Sequence, residues 1–335
     1  MTEGYEVLAY GVVVSAISFL AVYFLTPAAI RSLVARGSVV QDYHKPGKPP
    51  VPRPGGPVLM AGIAAAELVL FASTMNYVVL AILSATAIAF AVGYVDDRRV
   101  MPGWFKPAAL LLAAIPIIAF NAHGSHLNLV FGSTFIPLLY IPLIFVIMPV
   151  AGNTLNSIDI LNGVASGVLA IACVPLLAAS AIFGNIYVFL AGLPLLFAAL
   201  AFFKYHKYPS RIFPGDSGTL LLGAMYGSLA IAGKAEVIGV VALLPAVINS
   251  FLFLSSVKRL AEHRQVKARP VAILDDFRLA ASKDRAAPAT LVRLILADGP
   301  LSEEAVAQKI FRLAIFSALL AFATIILQYY FLVVR

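Results

Sequence analysis

Ten long runs of apolar residues dominate the chain, and short segments rich in glycine, proline and charge separate them. None of the runs alternates apolar and polar residues with the period of two that is typical of a half-buried strand. A helix needs about 20 mostly apolar residues to cross a bilayer. The pattern therefore predicts about ten transmembrane helices, at approximately 6–29, 57–74, 76–95, 106–121, 135–153, 164–183, 185–203, 217–233, 236–257 and 310–333.

The composition supports the same interpretation. Of the 335 residues, 61% are hydrophobic and only 12% are charged, whereas a soluble domain is about 25% charged. Backbone groups in lipid must satisfy their own hydrogen bonds, which leaves helices or closed barrels. We therefore expect an all-α, polytopic helical membrane protein with a single domain over residues 1–335 that includes a long cytoplasmic loop at 258–309.

The positive charge is concentrated in alternate loops. The loops at 30–56, 96–105, 204–216 and 258–309 hold five, two, three and ten lysines and arginines, which is 20 of the 24 in the chain. Positive loops resist translocation, so these loops and 154–163 are expected to face the cytoplasm at the cell membrane, with both termini outside. The net charge of +8 then reflects orientation, and we assign no nucleic-acid partner.

Acidic residues are few, and several adjoin the cytoplasmic ends of spans. Asp96 and Asp97 end one span and are followed by Arg98 and Arg99. Neighbouring carboxylates repel each other, so they need a cation, a shared proton or the adjacent arginines. A reaction centre and a solvated span end with internal ion pairs are both consistent with this pattern.

An amide-rich segment, AGNTLNSIDILNGVASG, joins two spans and contains Asn156, Asp159, Asn162 and Gly163. Amide oxygens can bind a metal or accept hydrogen bonds, and glycine allows a ligand to approach the backbone. A simple turn would not require so many amides at bilayer depth, where polar groups are costly. We therefore favour a functional role.

Two basic segments complete the candidate chemistry. KYHKYPSRIFPGDSG ends in Asp216 just before an apolar helix, where an aspartate can cap the helix or bind magnesium together with phosphates. AEHRQVKARP contains His263 and Arg264; guanidinium groups pair with phosphate oxygens, although the segment alone also fits an orientation signal. Carboxylates, amides and cations beside a bilayer together indicate phosphoryl transfer to a lipid.

Four segments in order, KPPVPRPGG, GYVDDRR, NTLNSIDILNG and FPGDSG, resemble motifs of the polyprenyl-phosphate N-acetylhexosamine-1-phosphate transferase superfamily. YHKYPSRIFPGD and GPLSEE are most similar to the dolichyl-phosphate N-acetylglucosamine-phosphotransferase branch of eukaryotes and archaea. The resemblance implies transfer of N-acetylglucosamine-1-phosphate, or a related sugar phosphate, from a UDP-sugar to dolichyl or polyprenyl phosphate. UMP would be released in the first step of lipid-linked oligosaccharide synthesis for protein N-glycosylation.

The same resemblance implies roles for individual residues. A divalent cation, Mg²⁺ or alternatively Mn²⁺, would be held by Asn156 and Asp216. The other implied residues are the reaction-centre pair Asp96 and Asp97, the phosphate contact Lys106, the uracil-stacking Phe213, the nucleoside-pocket residues Asn162 and Gly163, and the pyrophosphate and sugar contacts His263 and Arg264. Three positions depart from the branch: Glu262 replaces an arginine, Val100 replaces a polar residue after the aspartate pair, and Arg53 replaces an acidic residue of the first loop.

Several alternatives stay open at this point. A transporter of an anionic substrate would place charges deep within spans, where only Glu67 lies, and Glu67 can equally be a packing residue. A transferase that uses another UDP-hexosamine fits the motifs as well. For His206 we favour a surface role over a contact in the substrate loop. We expect residues 286–309, with Glu303 and Glu304, to form an interfacial helix. A homodimer is compatible with the sequence, which does not define the oligomeric state.

Overall fold

The fold is described from a computed structural model, which defines residues 2–99, 101–257 and 268–334. The expected phosphate and sugar contacts His263 and Arg264, with the neighbouring Glu262, lie outside these described residues.

Helices make up most of the described chain. In order they are α1 (Thr2–Ala35), α2 (Gly56–Thr74), α3 (Tyr77–Arg98), α4 (Phe105–Leu110), α5 (Ala114–Ala119), α6 (Pro137–Ile158), α7 (Val164–Phe183), α8 (Ile186–His206), α9 (Gly215–Ala232), α10 (Glu236–Ala242), α11 (Leu244–Val257), α12 (Leu291–Ile295) and α13 (Glu303–Tyr329). A 3-10 turn over Leu111–Ala113 joins α4 to α5.

All ten predicted apolar runs are helical, and the all-α polytopic class is confirmed. Within the described residues, seven helices are long and apolar enough to cross a membrane, and the pair α10 and α11, bent by 78°, makes an eighth if it counts as one span. The helical segment Phe105–Ala119 is shorter, and α9 is not among the seven. The count of ten and the external position of the termini stay predictions.

Three short antiparallel hairpins occupy connecting segments. They pair β1 (Val39–Gln41) with β2 (Pro50–Pro52), β3 (His126–Leu129) with β4 (Gly132–Phe135), and β5 (Val271–Ile273) with β6 (Leu279–Ala281). In the first of them Val40 lies opposite Val51. These hairpins were not predicted, because runs of three or four residues carry too little periodic signal.

Helix α9 is the centre of the bundle. It packs against α2, α3, α6, α7, α8 and α10, and all its residues except the last are buried. Gly223 and Gly227 face α6, where a Cβ at Gly223 would lie 2.4 Å from the carbonyl oxygen of Ala151. Small residues four positions apart allow membrane helices to approach closely, so glycine sets the distance between α9 and α6.

The last long helix begins earlier than its apolar run suggested. Ser302 caps α13 by accepting a hydrogen bond from the backbone N–H of Ala305 at 3.2 Å, a typical N-cap contact. Glu303 and Glu304 are therefore the first turn of α13, and the separate interfacial helix expected over 286–309 is wrong. Only the short helix α12 precedes α13 in that stretch.

Candidate active site

A polar cavity of about 330 Å³ lies where the first loop, the α6–α7 turn and the start of α9 meet. It brings together residues from five separate segments of the sequence. Those predicted from the sequence that line it are Lys106, Asn156, Asp159, Asn162, Phe213 and Asp216. Segments far apart in the chain thus line one cavity.

Asp216 lies at the middle of an alternating row of charges. Its Oδ2 is 2.5 Å from the Arg53 guanidinium, and its Oδ1 is 2.8 Å from Lys106 Nζ. Arg53 also contacts Asp97 at 2.8 Å, and Lys106 contacts Asp96 at 3.1 Å. Three carboxylates therefore share two cations in the order Asp97, Arg53, Asp216, Lys106 and Asp96, which leaves one formal negative charge in the row.

Asp97 supports the start of α9. Its two carboxylate oxygens accept the backbone N–H groups of Asp216 and Ser217, both at 2.9 Å. These N–H groups have no partner within the helix, and the positive end of the helix dipole favours an anion. The start of α9 thus binds the Asp97 side chain, and Asp216 itself lies in the first turn of α9 without capping it.

Asp96 is anchored differently. Its Oδ1 accepts the backbone N–H of Met101 at 3.1 Å, while its other oxygen faces Lys106. The carboxylate is buried, so Lys106 offsets a charge that would otherwise be costly at this depth. The two neighbouring aspartates thus face different cations, Asp96 facing Lys106 and Asp97 facing Arg53.

The oxygen donors of the cavity suit a hard divalent cation. Asn156, Asp159 and Asp216 all line it, and magnesium prefers carboxylate and amide oxygens. Asn156 Oδ1 accepts a hydrogen bond from Thr219 Oγ1 at 2.7 Å, which orients the amide. Both Asp216 oxygens already attract cationic side chains, so the position stabilises positive charge and the residues fit a metal.

Asp159, which directly follows α6, is a carboxyl group whose pKa is shifted by its surroundings. Burial raises the pKa of its carboxyl to about 7, with Asp216 and Asp97 adding to the rise and Arg53 opposing it. For Arg53, burial lowers the pKa of the guanidinium, but Asp216 and Asp97 outweigh this and the net shift is upward. An added cation in the cavity would favour the ionised form of Asp159.

His206 also belongs to the site. It is 1% exposed and lines the cavity, so the surface role expected for it is wrong. Its Nε2 lies 3.4 Å from Asp159 Oδ1, and its Nδ1 lies 2.9 Å from Ser166 Oγ. The imidazole therefore connects α8 to α7 and to the α6–α7 turn beneath the cavity.

Phe213 is held by the first loop. Its backbone N–H donates to Pro52 O at 2.9 Å, and its carbonyl accepts from the N–H of Gly55 at 2.8 Å. This pairing extends the edge of β2. It also fixes the backbone at Arg53, whose side chain lies between Asp97 and Asp216. The hairpin β1–β2 thus positions both an aromatic ring and a cation of the cavity.

Asn162 is tied into a network that the sequence did not reveal. Its side-chain oxygen accepts from Lys45 Nζ at 2.6 Å and from the N–H of Ser210 at 2.7 Å, and its amide donates to Asp42 at 3.2 Å. The Glu303 carboxylate accepts the backbone N–H of Asn162 at 2.8 Å. These contacts hold the first loop, the α6–α7 turn and α13 together around the cavity.

Gly163, unlike Asn162, does not line this cavity. Its φ of +81° lies in the left-handed region, and a Cβ there would lie 2.9 Å from the Cα of Lys207. Glycine is needed for the turn into α7 and for its close approach to the following loop. The nucleoside contact expected of Gly163 remains a prediction.

A second group of potential metal ligands adjoins the site. Asp42, His44 and Glu303 each place one ligand atom within 4.8 Å of the others. Lys45 Nζ pairs with Asp42 and lies 3.5 Å from Glu303. Asn162 also contacts both carboxylates, so we interpret the group as part of the network that holds the first loop to the α6–α7 turn.

An apolar groove of about 370 Å³ meets the polar cavity. It is formed by α4, the end of α6 and α11, with Val150, Phe251 and Leu254 among its lining residues. Lys106 and Asn156 line both the groove and the cavity. The two spaces therefore share one cation and one amide at their boundary.

A helical membrane bundle with a charged polar cavity beside an apolar groove defines an integral membrane protein suited to joining a phosphorylated polar ligand to a lipid. The chain belongs to glycosyl transferase family 4, whose pattern matches residues 79–234. That segment contains Asn156 and four of the five residues of the charged row, Asp96, Asp97, Lys106 and Asp216, whereas Arg53 lies before it.

Similar proteins come from archaea and bacteria. A protein of Saccharolobus solfataricus, provisionally named UDP-N-acetylglucosamine–dolichyl-phosphate N-acetylglucosaminephosphotransferase, is 28% identical over 70% of this chain and 75% of its own length. A protein of Sulfolobus acidocaldarius with the same name is 26% identical, over 67% and 71% respectively. A phospho-N-acetylmuramoyl-pentapeptide-transferase of Streptococcus suis is 30% identical over 66% of this chain and 72% of its own.

Proposed function

We propose that this protein transfers N-acetylglucosamine-1-phosphate from UDP-N-acetylglucosamine to dolichyl or a related polyprenyl phosphate, with release of UMP. At the coarser level, it is an enzyme that transfers an N-acetylhexosamine-1-phosphate to a polyprenyl phosphate. The choice of sugar and lipid follows the Saccharolobus and Sulfolobus relatives and the YHKYPSRIFPGD and GPLSEE segments. A role in N-glycosylation is part of the same proposal.

The observation that carries the proposal is the junction at Lys106 and Asn156. A nucleotide sugar needs a polar cavity with cations, and a polyprenyl phosphate needs an apolar groove that opens to lipid. Lys106 lies on both, so one ammonium group can contact phosphates that arrive from either side. Placing two reactants in contact is a large part of phosphoryl-transfer catalysis.

In the proposed reaction, an oxygen of the lipid phosphate forms a bond to the β-phosphorus of the UDP-sugar. The bond between that phosphorus and the oxygen bridging to the α-phosphate breaks, and the bridging oxygen leaves with UMP. Lys106 would stabilise the charge that develops on the phosphoryl oxygens. Asp96, which contacts Lys106, would hold the ammonium at the junction and accept a proton from the lipid phosphate when that phosphate is protonated.

Divalent-metal dependence is general in the family, and we propose Mg²⁺ held by Asn156 and Asp216. When bound, the ion would neutralise pyrophosphate oxygens and polarise the bond to the leaving UMP. Arg53 and Lys106 pair with Asp216 here, and in the proposed complex both would contact phosphate oxygens. Phe213 would stack on uracil, while Asn162 would line the nucleoside side of the cavity.

We also propose that the site faces the cytoplasm. Three of the four loops that build it, 30–56, 96–105 and 204–216, carry ten of the 24 lysines and arginines, and the alternation of the predicted spans puts the fourth, 154–163, on the same side. Positive loops stay on the cytoplasmic side. UDP-sugars would then reach the cavity from the cytosol and the acceptor from the inner leaflet.

The test is a survey of substrates with purified protein. UMP release is measured for individual UDP-sugars with short polyprenyl phosphates, in magnesium and in EDTA. We expect release with UDP-N-acetylglucosamine, dependent on both lipid and metal. Release only with a different UDP-hexosamine would overturn the sugar assignment, and no release from any pair would overturn the function.

Two variants locate the chemistry. Lys106→Gln should reduce UMP release by about 100-fold or more, the scale expected when one transition-state charge contact is lost. Lys283→Gln removes the same charge from an exposed cytoplasmic-loop position and should retain the wild-type rate. Full magnesium-dependent activity in Asp216→Ala would refute the metal assignment.

A further inference from the structure

A second cavity, of about 700 Å³, lies beside the active site on the other side of Arg53. Among the described residues that line it, three carry guanidinium groups, Arg36, Arg53 and Arg98, and Asp97 is the one with a carboxylate. Leu33 and Val58 provide apolar wall. This basic cavity therefore combines several cations with a hydrophobic surface.

The position of the basic cavity relates it to the bilayer. Arg36 directly follows α1 and Arg98 is the last residue of α3, two helices that qualify as membrane spans. Hairpin β1–β2 contributes Val39 and Val40 to the lining. The basic cavity thus opens where two spans end, on the side that the loop charges assign to the cytoplasm.

The cavity keeps a surplus of positive charge. The Asp97 carboxylate is already engaged by Arg53 and by the two backbone N–H groups at the start of α9. Within the described residues, Arg36 and Arg98 form no ion pair; Arg98 contacts the hydroxyl of Tyr94 and lies 4.4 Å from the centre of its ring. The guanidinium groups of Arg36 and Arg98 therefore remain available to an anion.

We propose that the basic cavity binds the phosphate headgroup of an acidic membrane lipid. Guanidinium groups bind phosphate oxygens in bidentate pairs, and Leu33 and Val58 would contact the glycerol and the first carbons of the chains. Arginines at span ends also arise as orientation signals or through diffuse attraction to acidic lipids. Diffuse attraction would be weakened equally by the loss of any arginine at this surface. Binding in the cavity would be weakened only by the loss of an arginine that lines it.

This ligand is distinct from the acceptor of the proposed reaction. The acceptor phosphate has to reach Lys106, which lines the apolar groove and the polar cavity but is not among the residues lining the basic cavity. The bound lipid would instead lie next to Arg53. Binding of this lipid can be measured without any transferase assay, so this proposal is tested independently of the proposed function.

The experiment compares two double variants with equal net charge. Arg36→Gln with Arg98→Gln removes the two available cations of the cavity. Arg31→Gln with Arg99→Gln removes two exposed arginines near the same two helix ends. Neither of these arginines is among the residues that line the cavity. Binding of phosphatidylglycerol and of phosphatidylcholine to each full-length protein in detergent is followed by native mass spectrometry as a function of lipid concentration.

We expect the wild type and the Arg31/Arg99 variant to bind phosphatidylglycerol alike, and the Arg36/Arg98 variant to bind it about tenfold more weakly or worse, as loss of charge-assisted hydrogen bonds predicts. Phosphatidylcholine binding should be the same for all three. Arg36→Lys with Arg98→Lys, which keeps the charge but loses the bidentate geometry, should give an intermediate affinity and also controls for folding.

Four outcomes would overturn the proposal. Equal losses in both glutamine variants would mean diffuse surface attraction, and no loss in either would mean no site. Displacement of phosphatidylglycerol by inorganic phosphate at equal concentration would mean a site for small anions. One-for-one displacement by a short polyprenyl phosphate would assign the cavity to the acceptor.

Discussion

Close contact between α3 and α9 makes Gly93 a sensitive position. A Cβ at Gly93 would lie 2.4 Å from the carbonyl oxygen of Asp216 and 2.6 Å from the Cα of Ser217. Both are backbone atoms of the central helix, so no side-chain rotation can relieve the contact. Gly93→Ala therefore forces α3 and α9 apart or strains both helices.

The size of the effect follows from these distances. An ordinary contact begins near 3.4 Å, so the helices must separate by about 1 Å, which is the scale of overpacking that costs about 1–3 kcal/mol. The same movement lengthens the two 2.9 Å bonds from Asp97 to the start of α9 beyond hydrogen-bond range. Charge-assisted bonds contribute about 1.5–3 kcal/mol each, so we expect a total loss of about 4 kcal/mol or more.

The assay is thermal unfolding of purified protein in detergent, followed by tryptophan fluorescence and by loss of monodispersity. Gly93→Ala should lower the midpoint by about 5 °C or more and should also reduce UMP release, because Asp216 moves with α9. Gly4→Ala is the matched control, since a Cβ there meets nothing within 4 Å. A wild-type midpoint and rate in Gly93→Ala would refute the close α3–α9 contact.

Three further predictions test other contacts. Asp97→Asn should lower thermal stability by about 1–3 kcal/mol, because it removes the charge at the start of α9; an unchanged unfolding midpoint would contradict this structural role. Glu303→Gln should raise the KM for the UDP-sugar several-fold with little change in kcat, since it loosens the loop around Asn162; a fall in kcat alone would contradict a positioning role. Asp276→Asn should leave the midpoint unchanged although Arg278 lowers the pKa of Asp276, because the pair is exposed to solvent and exposed ion pairs contribute little to stability; a clear drop would show that the pair matters for folding.

Residues whose partners lie in predicted motifs could be placed from the sequence. Lys106, Asn156, Phe213 and Asp216 were expected at one site and do line one cavity, because carboxylates, amides and cations at the ends of spans have few other uses in a membrane protein. The helices themselves followed from long apolar runs, whose signal does not depend on tertiary contacts.

Residues whose role depends on distant partners could not be placed in this way. His206 looked exposed within a basic, aromatic segment, yet its partner Ser166 is 40 positions away. Glu303 looked like part of a surface helix, yet it binds the backbone of Asn162 across 141 positions. Arg53 was noted only as a departure from a family pattern, and its pairing with Asp97 and Asp216 needed the fold. In each case the local sequence carries no signal of the contact.

The central claim is that the site transfers a sugar phosphate, and the fate of the β-phosphorus tests it most directly. Purified protein is incubated with magnesium, a short polyprenyl phosphate and UDP-N-acetylglucosamine that carries ³²P at the β-phosphate, and lipid and aqueous products are separated. We predict that the label enters the lipid fraction as UMP appears in equal amount, and that Lys106→Gln suppresses both. Label that stays in the aqueous fraction as UDP, with unlabelled sugar on the lipid, would contradict the account.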